Sequence, residues 1–228
     1  MIKKNNAIDP HLISNDDCVF CDEITGSKAL STLIKGTAIP HESYMAETDS
    51  LVLIPDVSPI IRGHCLIVTR KHMHSFAQAE KDVWNDLSKI KQVAIDYFIP
   101  HSSRYFFFEH GASPELKTSG GCIAHAHIHL IPIAIDMLHY LIPFSNQPLS
   151  IVPIEMKSSL PSRNIDYFYY EDMNGKGCVL VDPIKPIPRQ FVRMVVAKEM
   201  NLAEWDWRTV FFREEVSATS LHNRAVGV

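Results

Sequence analysis

Hydrophobic and polar positions follow two different periods along this chain, and the change of period marks its elements. Ser43–Thr48 and Ser50–Ile54 have strand character and are separated by an acidic turn at Glu47-Thr48-Asp49. Pro55-Asp56-Val57-Ser58-Pro59 reads as a loop because of its two prolines, and Cys65–Thr69 as a continuously apolar, buried strand. From Gln78 to Phe98 the spacing turns helical: Val83, Trp84, Leu87, Ile90, Val93, Ala94 and Phe98 define a core face, and Pro100 ends the helix. Arg104–Glu109 is aromatic-rich and strand-like, Gly111–Gly121 is a loop, and a further strand is expected from about Cys122 to Ile133.

The pattern changes near Pro143. Asp166–Glu171 and Cys178–Val181 predict a hairpin around Asn174-Gly175. Arg189–Met200 predicts a helix with Phe191, Met194, Val195 and Val196 on one side, and Trp205-Asp206-Trp207-Arg208 precedes a polar tail. One long helix among tightly connected strands predicts an α+β fold with a mostly antiparallel sheet, followed by a C-terminal α/β extension that packs against it. The expected division is a lead-in over 1–17, a main domain over 18–140 and the extension over 141–228.

Composition narrows the class. The 228 residues carry a formal net charge of −4 and no basic stripe, so duplex nucleic acid is not the expected partner, while small phosphorylated ligands remain open. The longest greasy stretch, Ile131–Pro143, is too short for a membrane helix and is broken by prolines. Met1–Pro10 has lysines but no apolar run behind them, so a cytoplasmic location is expected. Five cysteines is an odd number, and two stand as Cys18-Val-Phe-Cys21, a spacing that favours metal binding over a disulfide in a reducing compartment.

The chemistry concentrates on the last strand of the main domain. Residues i, i+2 and i+4 share a face, so His125, His127 and His129 project together while Ala126, Ile128 and Leu130 turn to the core. Half-buried imidazoles need partners. The alternatives to a reaction centre are a solvated face that happens to carry histidines and a three-histidine metal site.

Gly121-Cys-Ile-Ala-His125-Ala-His127-Ile-His129-Leu-Ile-Pro132 resembles the signature of the histidine triad (HIT) superfamily. Cys18-Val-Phe-Cys21, the Asp56 loop and Gly63-His64 through His72 resemble that family's upstream motifs in the same order, and together they cover about residues 18–135. The resemblance implies a HIT-like fold and a nucleotide phosphohydrolase acting at the α-phosphate of a nucleotidyl substrate. A phosphoramidate, a dinucleoside polyphosphate or a nucleotidyl ester would fit. His127 would form a covalent nucleotidyl-histidine intermediate, and His129 would hydrogen-bond the phosphate oxygens. A nucleotidyltransferase using the same intermediate and a non-catalytic nucleotide-binding adaptor are the alternatives.

By the same resemblance Asp56 would accept ribose hydroxyls, although an Asp there also suits a turn. Glu109 stands where relatives often have Asn or Gln, and Gly120 and Cys122 would contact phosphate. Cys122 departs from the usual Ser or Thr, and a core thiol is the other reading. His64 would orient the triad from behind or be a satisfied core histidine. Some relatives hold zinc, which here implies Cys18, Cys21, His72 and His125 as ligands, with His74 a rival to His72 and a metal-free cysteine pair the alternative. A purine-nucleotide-type ligand and a sheet-paired homodimer are implied, although the extension could replace or block that pairing. In the extension, Arg189, Arg193 and Arg208 could reach a substrate phosphate, while its aromatics could equally be core.

Overall fold

The computed structural model describes residues 18–25, 44–98, 104–111, 125–161 and 165–207. The lead-in 1–17, Gly120, Cys122 and Arg208 lie outside the described residues. A helix α1 (Val19–Thr25) is followed by β1 (Ala46–Glu47), β2 (Leu51–Pro55) and β3 (Cys65–Thr69). A short 3-10 turn at Phe76–Gln78 leads into α2 (Lys81–Phe98), then β4 (Phe106–Gly111) and β5 (His127–Ile131). After these come α3 (Met137–Leu141), β6 (Val152–Pro153), α4 (Met156–Ser159), β7 (Tyr167–Asp172), β8 (Lys176–Val181) and α5 (Phe191–Met200). The fold is α+β, as expected, and all the strands form one antiparallel sheet in the order β1-β2-β3-β5-β4-β7-β8-β6.

The helical stripe of α2 packs where its spacing demands. Val83, Leu87, Ile90 and Ala94 are buried against Leu51, Leu53, Ile67, Ile128 and Leu130 on one face of the sheet. Val93 does not join them and is 45% exposed. At 100° per residue it sits roughly 80° around the helix from Val83, off the edge of the buried arc. The helix begins at Lys81 and not at Gln78, because a 3-10 turn takes up Phe76–Gln78.

The extension joins the same sheet. β7 pairs with β4 from Phe106↔Asp172 to Gly111↔Tyr167, which makes β4 an interior strand. Gly111 is required at that register, since a Cβ there would stand 2.2 Å from the Tyr167 ring. Gly175, at φ +68°, turns the β7–β8 hairpin in the left-handed region that glycine tolerates. Tyr167 and Tyr169 enter the core beneath α2, while Phe168, Tyr170 and Leu180 face the other way. There they meet Val192, Val195, Val196 and Ala197 of α5.

That second face carries two apolar clusters. One contains Phe20, Val52, Ile54, Leu66 and Val68, and the other is built from Phe106, Phe108, Ile131, Phe168 and α5. β5 runs between them, with His127 opposite Val68 and His129 opposite Leu66 on β3 and Phe108 on β4. Among the described residues no helix is long and apolar enough to cross a membrane.

Candidate active site and metal centre

His127 and His129 lie on β5 and His125 just before it, and the ring nitrogens of the three are committed to different partners. His125 is 1% exposed, and its Nε2 lies 2.7 Å from the Thr69 carbonyl. A carbonyl only accepts, so Nε2 carries the proton and Nδ1 presents a lone pair. That lone pair points at sulfur: Cys18 Sγ is 3.2 Å away and Cys21 Sγ 3.6 Å, while Cys21 Sγ is 3.3 Å from His72 Nδ1. The four ligand atoms of Cys18, Cys21, His72 and His125 lie within 4.8 Å of one another. A tetrahedral zinc would separate a thiolate and an imidazole ligand by about 3.6 Å, given its usual bond lengths. The cluster is therefore compatible with zinc. His72, and not His74, is the imidazole that lies in this group with His125.

Burial and the neighbouring Cys18 push the Cys21 thiol up to about 11, because two thiolates without a cation repel. A divalent ion reverses that balance by favouring both deprotonated ligands. The cluster also ties α1 to β5, which seats the Phe20 ring 5.1 Å from that of His127.

His127 Nδ1 lies 2.6 Å from the His125 carbonyl, so Nδ1 carries the proton and Nε2 is left with a free lone pair. Burial lowers the pKa of His127 and keeps the ring neutral near pH 7. His129 is fixed the opposite way. His64, fully buried, receives the Ile60 backbone N–H on Nδ1 at 3.4 Å, so its Nε2–H donates to His129 Nδ1 at 2.8 Å. His129 must then carry its proton on Nε2. Burial holds His64 down to about 4 and His129 well below its ordinary value, so both are neutral. The Phe108 ring stacks on His129 at 4.3 Å and 7°. The pair offers a nucleophilic nitrogen beside an N–H donor, with the ring centroids 4.8 Å apart.

Asp56, His64 and His129 also bring three ligand atoms together. Two imidazole nitrogens on one tetrahedral zinc stand roughly 3.3 Å apart. The 2.8 Å between His64 and His129 is a hydrogen bond with no room for an ion.

Asp56 is 7% exposed, and its carboxylate is already engaged: Oδ1 accepts the Ser58 N–H at 2.7 Å, and Oδ2 lies 3.6 Å from His64 Nε2. Glu109 is not brought to the triad. It alternates onto the α2 face of β4, where it accepts the Phe76 N–H at 2.8 Å and the Tyr167 hydroxyl at 2.5 Å. Burial raises its pKa to about 8, so it is a structural carboxyl and mostly protonated. The polar β4 residue on the triad face is His110, which sequence reasoning passed over. Burial chiefly, and His127 secondarily, lower it to about 4. The signal for it was available: Phe106, Phe108 and His110 alternate with Phe107 and Glu109, and only one of these sets can face the histidines.

The family described as "Protein similar to CwfJ C-terminal" matches residues 5–146. The chain belongs to this family. It is a relative of the histidine triad proteins, in agreement with the motifs read from the sequence. The chain is also similar to an uncharacterized HIT-like protein of Mycoplasma genitalium, 24% identical over 124 residues that make up 52% of this chain and 74% of that one. Among solved structures it resembles a hypothetical protein from Leishmania major at 22% identity, with 54% of this chain and 77% of that one covered and a TM-score of 0.40. It also resembles a zinc-bound histidine triad family protein from Mycobacterium smegmatis at 18% identity, with 53% and 77% covered and a TM-score of 0.37. Family membership rests on the first match, which spans the cysteine pair, the Asp56 loop and the triad strand of this CwfJ-like chain.

Proposed function

We propose that the chain is a nucleotidyl hydrolase that forms a covalent intermediate on His127. The observation carrying this reading is the opposite tautomers of neighbouring rings: His127 presents an Nε2 lone pair because its Nδ1–H is held by the His125 carbonyl. His129 presents Nε2–H because its Nδ1 is held by His64. In the first step the His127 Nε2 lone pair attacks the α-phosphorus. The P–Nε2 bond forms as the bond to the leaving group breaks; the leaving group departs with the bonding pair, and a phosphoramidate nitrogen takes a proton from solvent and leaves as the neutral amine. The His129 N–H hydrogen-bonds a non-bridging phosphate oxygen whose charge grows in the transition state. Water then attacks phosphorus, the P–Nε2 bond breaks, the mononucleotide leaves, and the proton from water passes to solvent. A purine nucleotide is the proposed ligand.

Zinc is the proposed resident ion of Cys18, Cys21, His72 and His125. Bound, it would lend rigidity rather than reactivity, since its four positions are filled by protein atoms. Phe20 would thereby be held beside His127.

The test is capture of the intermediate. Wild-type protein incubated with adenosine 5′-phosphoramidate and quenched in alkali should gain the mass of one adenylyl group, and His127→Ala should not. A wild type that hydrolyses the probe without ever accumulating an adduct, or a His127→Ala variant that still forms one, removes His127 from this role. Binding without turnover would favour the adaptor reading, and turnover only with a non-water acceptor the transferase.

A further inference from the structure

Helix α5 belongs to the extension, beyond residues 18–140, yet its first turn delivers a charge to the back of the site. Arg193 is 5% exposed, a degree of burial that an arginine adopts only when paired. Its Nε–H donates to the Trp205 carbonyl at 2.8 Å and its Nη2–H to Ser58 Oγ at 3.3 Å. Nη1 stands 3.7 Å from Asp56 Oδ1 and makes no hydrogen bond of its own. Asp56 in turn faces His64, and His64 holds His129. A buried chain of contacts thus runs from the extension to the triad: Arg193, Asp56, His64, His129.

We propose that Arg193 is a positioning residue: it holds the Asp56 carboxylate against Ser58 and His64, and so keeps His129 with its Nε2–H directed at the reacting phosphate. The proposal rests on the reading of the site given above. Its physical basis is charge balance. A buried carboxylate must be paired. Burial is the main cause of the neutral state of His64, and Arg193 adds to it by matching the charge of Asp56, which leaves the Nε2–H for His129. Without Arg193 the nearest group able to match that charge is His64 itself. A proton taken up there gives an imidazolium drawn towards Asp56 Oδ2, 3.6 Å away, and the Nε2–H is pulled from His129. The other titratable groups facing this chain are His127 on β5, His110 on β4 and Cys65 on β3, all kept neutral by burial, and Asp206, a second carboxylate beside Arg193. None of them can substitute for the guanidinium.

Imidazole nitrogen–proton correlation spectra of the whole chain test this without substrate. Wild type should show His64 and His129 neutral, each protonated on Nε2. Arg193→Met should show His64 protonated on both nitrogens at pH 7 and His129 divided between tautomers. Arg193→Lys keeps the charge but lacks the fork that bonds both Ser58 and Trp205, and should keep His64 neutral. With adenosine 5′-phosphoramidate as probe, Arg193→Met should lose on the order of tenfold in kcat with KM little changed, as for other residues that orient a reacting group from behind. Arg193→Lys should recover part of the loss.

A role confined to fastening α5 predicts unchanged imidazole signals in folded Arg193→Met, and that result overturns the proposal. Should Arg193→Met not fold, Arg193→Gln decides, since it keeps N–H donors without the charge: wild-type imidazole signals together with a wild-type kcat would overturn it. A wild type that never reacts with the probe would defeat the nucleotidyl reading, while the imidazole spectra would still decide the proposal for Arg193.

Discussion

Two clusters of the same residue type lie a few residues apart on this fold, and they differ in where their lone pairs point. Around His125 the acceptors converge: its Nδ1 and that of His72 face two sulfurs at 3.2 to 3.6 Å, an arrangement that a cation completes. Around His129 a donor meets an acceptor: His64 Nε2–H to Nδ1 at 2.8 Å, complete without an ion. The difference comes from the far side of each ring. Thr69 offers a carbonyl to His125, and Ile60 an N–H to His64. One backbone group thus decides whether a histidine serves as a ligand or as part of a hydrogen-bond chain.

The largest expected effect breaks the site itself. His127→Ala should lower turnover by about 10⁴-fold or more, judged by how much enzymes lose with a covalent nucleophile, while the zinc content stays at one ion per chain. A residual rate within tenfold of wild type, on a single-turnover assay, would move the nucleophile elsewhere.

Next, Cys18→Ser, or chelation, should act on the other cluster. Loss of a structural ion costs several kcal/mol and should lower the thermal midpoint by roughly 10 °C in a chain of this size. Calorimetry with metal analysis checks this. An unchanged midpoint after full metal removal would mean that the cysteines and histidines hold nothing of structural weight. His64→Phe is the converse experiment: zinc should be retained, and turnover should fall by about 10- to 100-fold because His129 loses its donor. If His64→Phe lost zinc as well, the two clusters would not be independent.

A smaller effect separates the sheet's two faces by pH. His64 and His110 fall from 6.5 to about 4 in the folded protein. The unfolded chain therefore binds protons first on acidification. The stability carried by these neutral rings is complete above pH 6.5 and declines by about 1.4 kcal/mol per unit for each ring down to pH 4. His127 and His129 shift in the same direction. Glu109, raised from 4.5 to about 8, has the opposite sign: its contribution is complete below pH 4.5 and is lost as pH rises to 8. Glu109→Gln should therefore steepen the acid loss and flatten the decline between pH 6 and 8, read as thermal midpoint against pH. Parallel profiles for the two proteins would show that Glu109 is ionised in the folded state.

The smallest effect concerns assembly. The outer strands of the sheet, β1 and β6, are two residues each, and Pro153 in β6 has no N–H to donate. β4 is already paired by β7. Among the described residues edge-to-edge pairing of two copies has little backbone to use, and the prediction is a monomer in sedimentation at micromolar concentration. A stable dimer would require another surface.

Much of this was legible in the sequence because period and burial coincide. Cys65–Thr69 occupies the span its apolar run predicts, and Ala126, Ile128 and Leu130 turn to the core while the histidines share the other face. The grouping of Cys18, Cys21, His72 and His125 was expected from the family resemblance, and the fold brings those four side chains together. Less visible were α1, a helix around a cysteine pair too short to show a period, and α3, inside an apolar stretch that shows no clear periodicity. The last helix begins at Phe191 rather than Arg189 because Gln190 takes a left-handed conformation, with φ of 55°. Its side chain bonds Asp206 Oδ1 and the Trp207 N–H, a commitment to residues far along the chain.

What the sequence by itself determined is therefore local and periodic: most of the strands, the long helix, and the alternation that sets His125, His127 and His129 against Ala126, Ile128 and Leu130. Tertiary structure alone decided which nitrogen of each ring carries the proton, that Glu109 turns away from the triad while His110 turns towards it, and that Arg193 reaches Asp56. The physical reason is that periodicity sets which face a side chain takes. Its charge and tautomer are set by whichever donor or acceptor a distant segment brings within 3 Å, and no local pattern encodes that.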